Sequence, residues 1–311
     1  MQLTPSEVPQ TPSGDEIYLD HVGWFVRDME GVASAMERLG FLLTPFVAQH
    51  NADPVGGTPV PAGTGNRCAM LRRGYLEFLS VIPGVNTTLS RQLNVALDRY
   101  QGLHLLAFTI NNSESAYQRL NSENFLPLDP VNLRRPLTLN DGSEAEVAFT
   151  VIRVPPEKMP EGRIQMLRQE TPELVWQDHL IASNNGIVAL GGVILCVDGV
   201  EEVSDRFSRF TGRDCTGGIN YRLLDLDRGR IGFVNRSNVQ DFLPNVAVPT
   251  TPFMAAVTLE SEDLDQTRSF LDGAGISVFS LSDNAILIGA DDACGVSIII
   301  FNHNDTWPRK V

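Results

Sequence analysis

The spacing of apolar positions along the chain changes period repeatedly. Residues 17–26 form a short run rich in aromatic and β-branched side chains, the composition of a strand. Residues 29–39 then place Val32, Ala35, Met36 and Leu39 on one helical face. Residues 41–49 read as a second strand. Residues 66–71 and 75–81 read as a hairpin across the turn Arg72-Arg73-Gly74. Between them, residues 50–64 are rich in glycine and proline, and predict a long loop of the kind that carries function. The unit is strand, helix, three strands (βαβββ), and it ends at Pro83-Gly84.

After a connecting helix over residues 89–100 the order recurs. A strand starts at Leu103, a helix covers residues 113–120, and a hairpin turns at Asn140-Asp141-Gly142 between strands over 136–139 and 145–154. Residues 162–169 supply the last strand. Laid over the first unit, His104 aligns with His21, Asn111 with Asp28, Leu120 with Leu39 after a small gap, and Phe125 with Phe41. Residues 179–186 read as a linker. Two weaker units follow, one with strands over 192–197, 221–226 and 230–234, the other with strands over 253–259, 276–281, 285–289 and 296–301. The expected fold class is α+β: four βαβββ modules paired into two domains with curved mixed sheets. Residues 1–16 would be a loose tail. Residues 17–182 would form the first domain, from modules 17–83 and 102–170, and residues 186–311 a second, degenerate pair.

Composition narrows the function. A hydrophobic content of 42% and a charged content of 20% over 311 residues fit a soluble globular protein with a real core. A formal net charge of −14 argues against nucleic-acid binding and against docking on an anionic membrane. Residues 1–16 lack the basic and apolar regions of a secretory signal, and the longest apolar run, residues 187–197, is too short to span a bilayer. The four cysteines are scattered without a C-x-x-C pair, so neither a thiolate zinc site nor a disulfide framework is expected, and a cytoplasmic location is the default.

The module order, the histidine on the first strand, and the phrases Gly63-Thr64-Gly65-Asn66-Arg67, Gly74-Tyr75-Leu76-Glu77-Phe78 and Thr171-Pro172-Glu173-Leu174-Val175-Trp176 resemble the vicinal-oxygen-chelate superfamily, and within it the glyoxalase-like domain proteins. The resemblance covers residues 17–186 well and the remainder mainly by module order. It implies a small-molecule site in the cleft of a module pair, and in many members one divalent metal (Zn, Ni, Mn, Fe or Co) held by residues of the first and last strands. Carried onto this chain, the ligands would be His21, Glu77 and His104, with Gln165 or Gln169 as a weak fourth where a histidine often stands in that group. A metal there would polarise two neighbouring substrate oxygens.

The implied activity is proton transfer at a chelated carbonyl, of isomerase or lyase type, with Glu77 as base. An extradiol-type dioxygenase, or a non-catalytic sequestering protein of the bleomycin-resistance kind, are the alternatives. A homodimer is a family expectation. Each residue also has a plainer reading. A lone strand histidine is usually an ordinary satisfied one, and Glu77 could pair with Arg67 or Arg73. Arg67 could fork onto a substrate carboxylate or form a surface ion pair. His50 is either a mobile acid–base group or a solvated loop residue. In the second half the positions matching His21 and Glu77 fall on residues that cannot ligate, which makes that half a structural partner or lid.

Overall fold

Asp28, Asn112 and Asp263 each accept a hydrogen bond from a backbone N–H three residues on (Gly31, Ser115 and Gln266), which satisfies an otherwise orphaned donor and starts a helix. A fourth helix starts after Gly199 without a side-chain cap. Each follows a strand and precedes three more. The computed structural model describes residues 8–51, 60–139, 141–182 and 184–303, so the centre of the expected long loop and Asn140 of the expected turn lie outside the described residues.

The first unit comprises β1 (Ile17–Phe25), α1 (Met29–Arg38), β2 (Val47–Asn51), β3 (Val60–Met70) and β4 (Tyr75–Val81). Helix α2 (Thr88–Arg99) leads to β5 (Gly102–Ile110), α3 (Ser113–Ser122), β6 (Val131–Thr138), β7 (Glu144–Arg153) and β8 (Arg163–Gln169). A single turn, α4 (Pro172–Val175), precedes β9 (Ile187–Val197), α5 (Val200–Thr211), β10 (Cys215–Gly217), β11 (Tyr221–Asp225) and β12 (Arg230–Asn235). The last unit is β13 (Phe253–Ser261), α6 (Leu264–Gly273), β14 (Val278–Ser282), β15 (Ala285–Ile288) and β16 (Ser297–Asn302). Strand β3 starts six residues earlier than the apolar pattern suggests, at Val60 rather than Asn66, because its first half is ladder-bonded glycine, proline and threonine. The three residues of β10 carry no alternation that would mark a strand in the sequence.

In every unit the first strand pairs in parallel with the last: β1 with β4, β5 with β8, β9 with β12 and β13 with β16. First strands then pair antiparallel with each other, β1 with β5 and β9 with β13. The two sets touch edge to edge at Met254 and Leu103.

Both antiparallel seams are bulged, and the bulges recur at matching places. On β1 the extra residue is Asp20, between Leu19 and His21; on β5 it is His104, between Leu103 and Leu105. On β9 and β13 the matching extra residues are Gly191 and Ala255, and β9 carries one more at Val188. Each of the four matching bulges precedes its helix cap by the same interval: Asp20 to Asp28, His104 to Asn112, Gly191 to Gly199, Ala255 to Asp263. The cap of α3 is thus Asn112, not Asn111, and the alignment of His21 with His104 slips by one. His104 is the counterpart of Asp20, and the counterpart of His21 is Leu105. A bulge sends two successive side chains to one face, which period-two counting cannot anticipate.

The two faces differ. On the helix side Leu19, Val22 and Trp24 of β1 join Met36 of α1, Leu120 of α3, Phe207 of α5 and Leu271 of α6 in one core built from both halves of the chain. Phe210 of α5 meets Phe108 and Phe125 edge-on at 5.6 and 5.5 Å. The inner face of the second half is filled mainly by its own apolar residues, with Val239, Phe242, Leu243 and Val246 in one cluster with Ile194, Ala255, Ala256, Ile299 and Tyr100 of the first half. The inner face of the first half carries a smaller apolar cluster beside polar residues. Leu93 and Leu97 of α2 pack there on Phe25, Leu79, Leu105 and Leu167.

Thr87 holds α2 in place, accepting from Ser90 N at 3.0 Å and donating to the Ala62 carbonyl at 2.6 Å. Replacing Thr87 by Ala is expected to cost about 1 kcal/mol, read as a lower urea midpoint, while Thr87→Ser keeps most of it. An unchanged midpoint in Thr87→Ala would show that α2 docks without this cap. Among the described residues no helix is long and apolar enough to cross a membrane.

Candidate functional site

The bulge at Asp20 turns its carboxylate onto the inner face beside His21. Asp20 is fully buried and His21 nearly so. Asp20 Oδ1 lies 2.6 Å from His21 Nδ1, and Gln169 Nε2 donates to Asp20 Oδ2 and Oδ1 at 3.1 and 3.3 Å. With a carboxylate on Nδ1, the ring carries its proton there and leaves the Nε2 lone pair free. That Nε2 faces Glu77 Oε2 across 3.8 Å, beyond hydrogen-bond reach.

Glu77 reaches this position by register. It lies opposite Gly23 on β1 and Cys68 on β3, and the space a side chain at Gly23 would need is taken by Leu105 and Leu79. Its other oxygen, Oε1, accepts from Asn66 Nδ2 at 2.5 Å. Tyr75 stacks on the His21 ring at 4.4 Å between centroids, and Trp176 meets Tyr75 edge-on at 5.9 Å. Burial, with Asp20 and Glu77 adding to it, pushes the Tyr75 phenol well above its usual range; burial and Glu77 do the same for the Cys68 thiol. Both side chains are neutral walls of the site at physiological pH.

The other expected residues lie elsewhere. His104 sits between the rings of Tyr100 and Phe25, at 4.0 and 5.2 Å, with Nε2 2.9 Å from the Tyr100 carbonyl and Nδ1 buried without a partner. Burial pulls its pKa down to about 4. Arg67 lies on the opposite face of β3 from Asn66 and Cys68, where its Nε donates to the Thr44 carbonyl at 2.8 Å. Arg73 pairs with Glu260 at 2.6 Å, so it is not the partner of Glu77. Gln165 lies opposite Ala107 on β5, the place in the second unit that Glu77 holds in the first. His50, His179 and His303 are exposed.

The donor chemistry fits a metal in part. A histidine with a carboxylate on one nitrogen and the other nitrogen free is the arrangement that orients a ligating imidazole, and Glu77 offers a free oxygen to the same point. Gln169 Oε1 is buried without a partner. Among the described residues, however, no three His, Cys, Asp or Glu side chains gather closely enough to hold an ion, and His104 makes its contacts with Tyr100 and Phe25 instead. Asp20 and Asn66 are the residues that sequence reasoning passed over. Asp20 carried a usable signal: a carboxylate inside an otherwise apolar strand cannot be buried without a partner, and its neighbour is a histidine.

The equivalent inner positions of the other units are telling. Where the first unit has Asp20, His21 and Glu77, the third has Gly191, Gly192 and Gly232, and the fourth has Ala255, Ala256 and Ile299. Polar chemistry is concentrated in the first half.

The curved mixed sheet with parallel first and last strands in each unit is that of the vicinal-oxygen-chelate fold. Residues 19–211 match the family model described as a glyoxalase-like domain, and the chain belongs to that family. Solved structures of similar fold include a hypothetical protein from Staphylococcus aureus, 11% identical at a TM-score of 0.63 over 92% of this chain and 99% of that one. A xylose isomerase-like TIM barrel/4-hydroxyphenylpyruvate dioxygenase fusion protein is 12% identical, with a TM-score of 0.58 over 97% of this chain and 51% of its own. A mutant of 4-hydroxymandelate synthase from Streptomyces coelicolor is 10% identical, with a TM-score of 0.56 over 95% of each chain. At these identities the likeness is one of fold. No curated protein matches the chain.

Proposed function

We propose that the inner face of residues 17–182 binds a small oxygenated molecule and moves a proton beside its carbonyl, with residues 186–311 as a structural partner domain. The observation that carries this is the pair His21 Nε2 and Glu77 Oε2, facing each other at 3.8 Å while buried partners hold the other end of each. Glu77 Oε2 is the proton acceptor, because Asn66 holds Oε1 and fixes the direction of the free oxygen. Asp20, anchored by Gln169, keeps His21 in one tautomer and aims Nε2 at the same point. Tyr75 and Trp176 form an aromatic wall that keeps bulk water from the pair. His21 and Glu77 are also the donors that would hold a divalent ion, which when bound supplies positive charge to polarise the substrate oxygens.

The test is solvent-deuterium exchange into dihydroxyacetone or a hemithioacetal, with the metal content of the purified protein measured alongside. Exchange above the uncatalysed rate supports the reading. A chain that exchanges no proton, with or without added divalent metal, and yet binds an apolar ligand tightly would instead be a sequestering protein. Oxygen chemistry is the second reading, favoured by the name of one structural neighbour, the dioxygenase fusion protein. Oxygen uptake with a catechol, restored by ferrous iron, would decide for it.

A further inference from the structure

We propose that the molecule taken by this face carries a carboxylate or a phosphate, and that Arg163, Arg153 and Arg135 receive that oxyanion. The inference rests on reading the inner face as a small-molecule site.

Strand register places all three arginines there. Arg153 on β7 lies opposite Gln165 on β8, and Arg163 is one side-chain repeat before Gln165 on the same strand. Gln165 in turn lies opposite Ala107, which lies opposite His21. On β6, Arg135 lies opposite Val147, on the same side of the ladder as Val151 and Arg153. The electrostatics agree with this placement. Glu77 acts on Arg163, and Arg135 acts on Cys68 and Tyr75.

The three guanidinium groups are not neutralised. Among the described residues none of them forms an ion pair, whereas Arg134 and Arg168, their neighbours on the outer face, pair with Glu146 and Glu170. Arg163 Nη2 and Arg135 Nε are buried with no hydrogen-bond partner. Arg163 lies over the Phe25 ring at 5.1 Å, a contact that holds the guanidinium flat without using its N–H donors. Burial, together with nearby Arg153, pulls its pKa to about 10, so it is still a cation at neutral pH. The inner-face carboxylates are engaged elsewhere, Asp20 with His21 and Gln169, and Glu77 with Asn66. The three arginines are half-buried; a guanidinium with buried, unused donors is destabilising, and a planar fork of N–H groups is matched by carboxylate or phosphate oxygens. An oxyanion on these arginines would hold the rest of the molecule toward Glu77 and His21.

The experiment is calorimetric titration of the full chain at low ionic strength with pyruvate, its neutral amide, and inorganic phosphate. Saturable binding of pyruvate or phosphate is expected, and which of them binds separates the carboxylate from the phosphate source. The amide should bind at least ~10-fold more weakly. Arg163→Gln should weaken oxyanion binding roughly 30-fold or more, and Arg134→Gln on the outer face should leave it unchanged. Circular dichroism checks that each variant is folded. Should Arg163→Gln fail to fold, Arg153→Gln and Arg135→Gln give the same reading. Equal binding of the amide, wild-type affinity in the arginine variants, or no saturable binding of either oxyanion would overturn the proposal. Arginine-dependent binding in a chain that exchanges no proton would sustain it while removing the acid–base role of Glu77.

Discussion

Glu77→Gln should lower solvent-deuterium exchange into a bound carbonyl substrate by roughly 10²–10⁴-fold, the usual contribution of a positioned general base. The amide keeps the shape of the side chain and can still meet Asn66, so the fold around β3 and β4 should survive. It cannot take a proton. The split between parameters is therefore diagnostic: kcat should fall while KM moves little, the signature of an interaction made only in the transition state. A rise in KM at unchanged kcat would mean that Glu77 merely holds substrate. Retention of full exchange would transfer the base role to His21, whose free Nε2 lies at the same point.

Much of this pair could be read before any coordinates. A glutamate inside the apolar run Tyr75-Leu76-Glu77-Phe78-Leu79 has to find a buried partner, and a histidine on the first strand of the same unit is within reach once first and last strands pair in parallel. The strand and helix order was legible for a similar reason, since long periodic segments with capped helices are the strongest local signals. His104 shows where such reading stops. Its match to His21 rested on counting along strands, and the count passes through an inserted residue on each strand that only the ladder reveals. Arg163 left no trace for another reason. An arginine at the first position of a strand looks like an ordinary surface residue until its cross-strand partners are known.

Folding stability should fall on mild acidification, with His104 the main single contributor. Burial lowers its pKa to about 4, against the usual histidine value near 6.5. Between those two values the unfolded chain binds a proton that the folded chain refuses. The favourable contribution is therefore complete above about pH 6.5 and is lost as pH falls through the window down to about 4, below which it changes no further. The full span is on the order of 3 kcal/mol. The cause is structural: a ring packed between Tyr100 and Phe25, with one nitrogen on a carbonyl and the other without a partner, has nowhere to place a second proton's charge. Urea unfolding at pH 7 and at pH 4.5 measures the effect. His104→Gln should be less stable at pH 7 and much less sensitive to pH. A variant with the same pH dependence as the parent would remove His104 as the cause.

The constant interval from bulge to helix cap has a practical consequence for comparing sequences of this kind. A histidine is a poor anchor, because a strand with an inserted residue can present a functional group at either of two successive positions and still face the same way. The cap is a better one, because it is tied to the helix and the helix is tied to the core. Counting back eight places from Asp28, Asn112, Gly199 and Asp263 lands on Asp20, His104, Gly191 and Ala255. The same count in a relative would locate its inner-face residues even where no histidine survives to mark them. It would also separate chains that have exchanged one polar group for another from those that have emptied the cleft altogether.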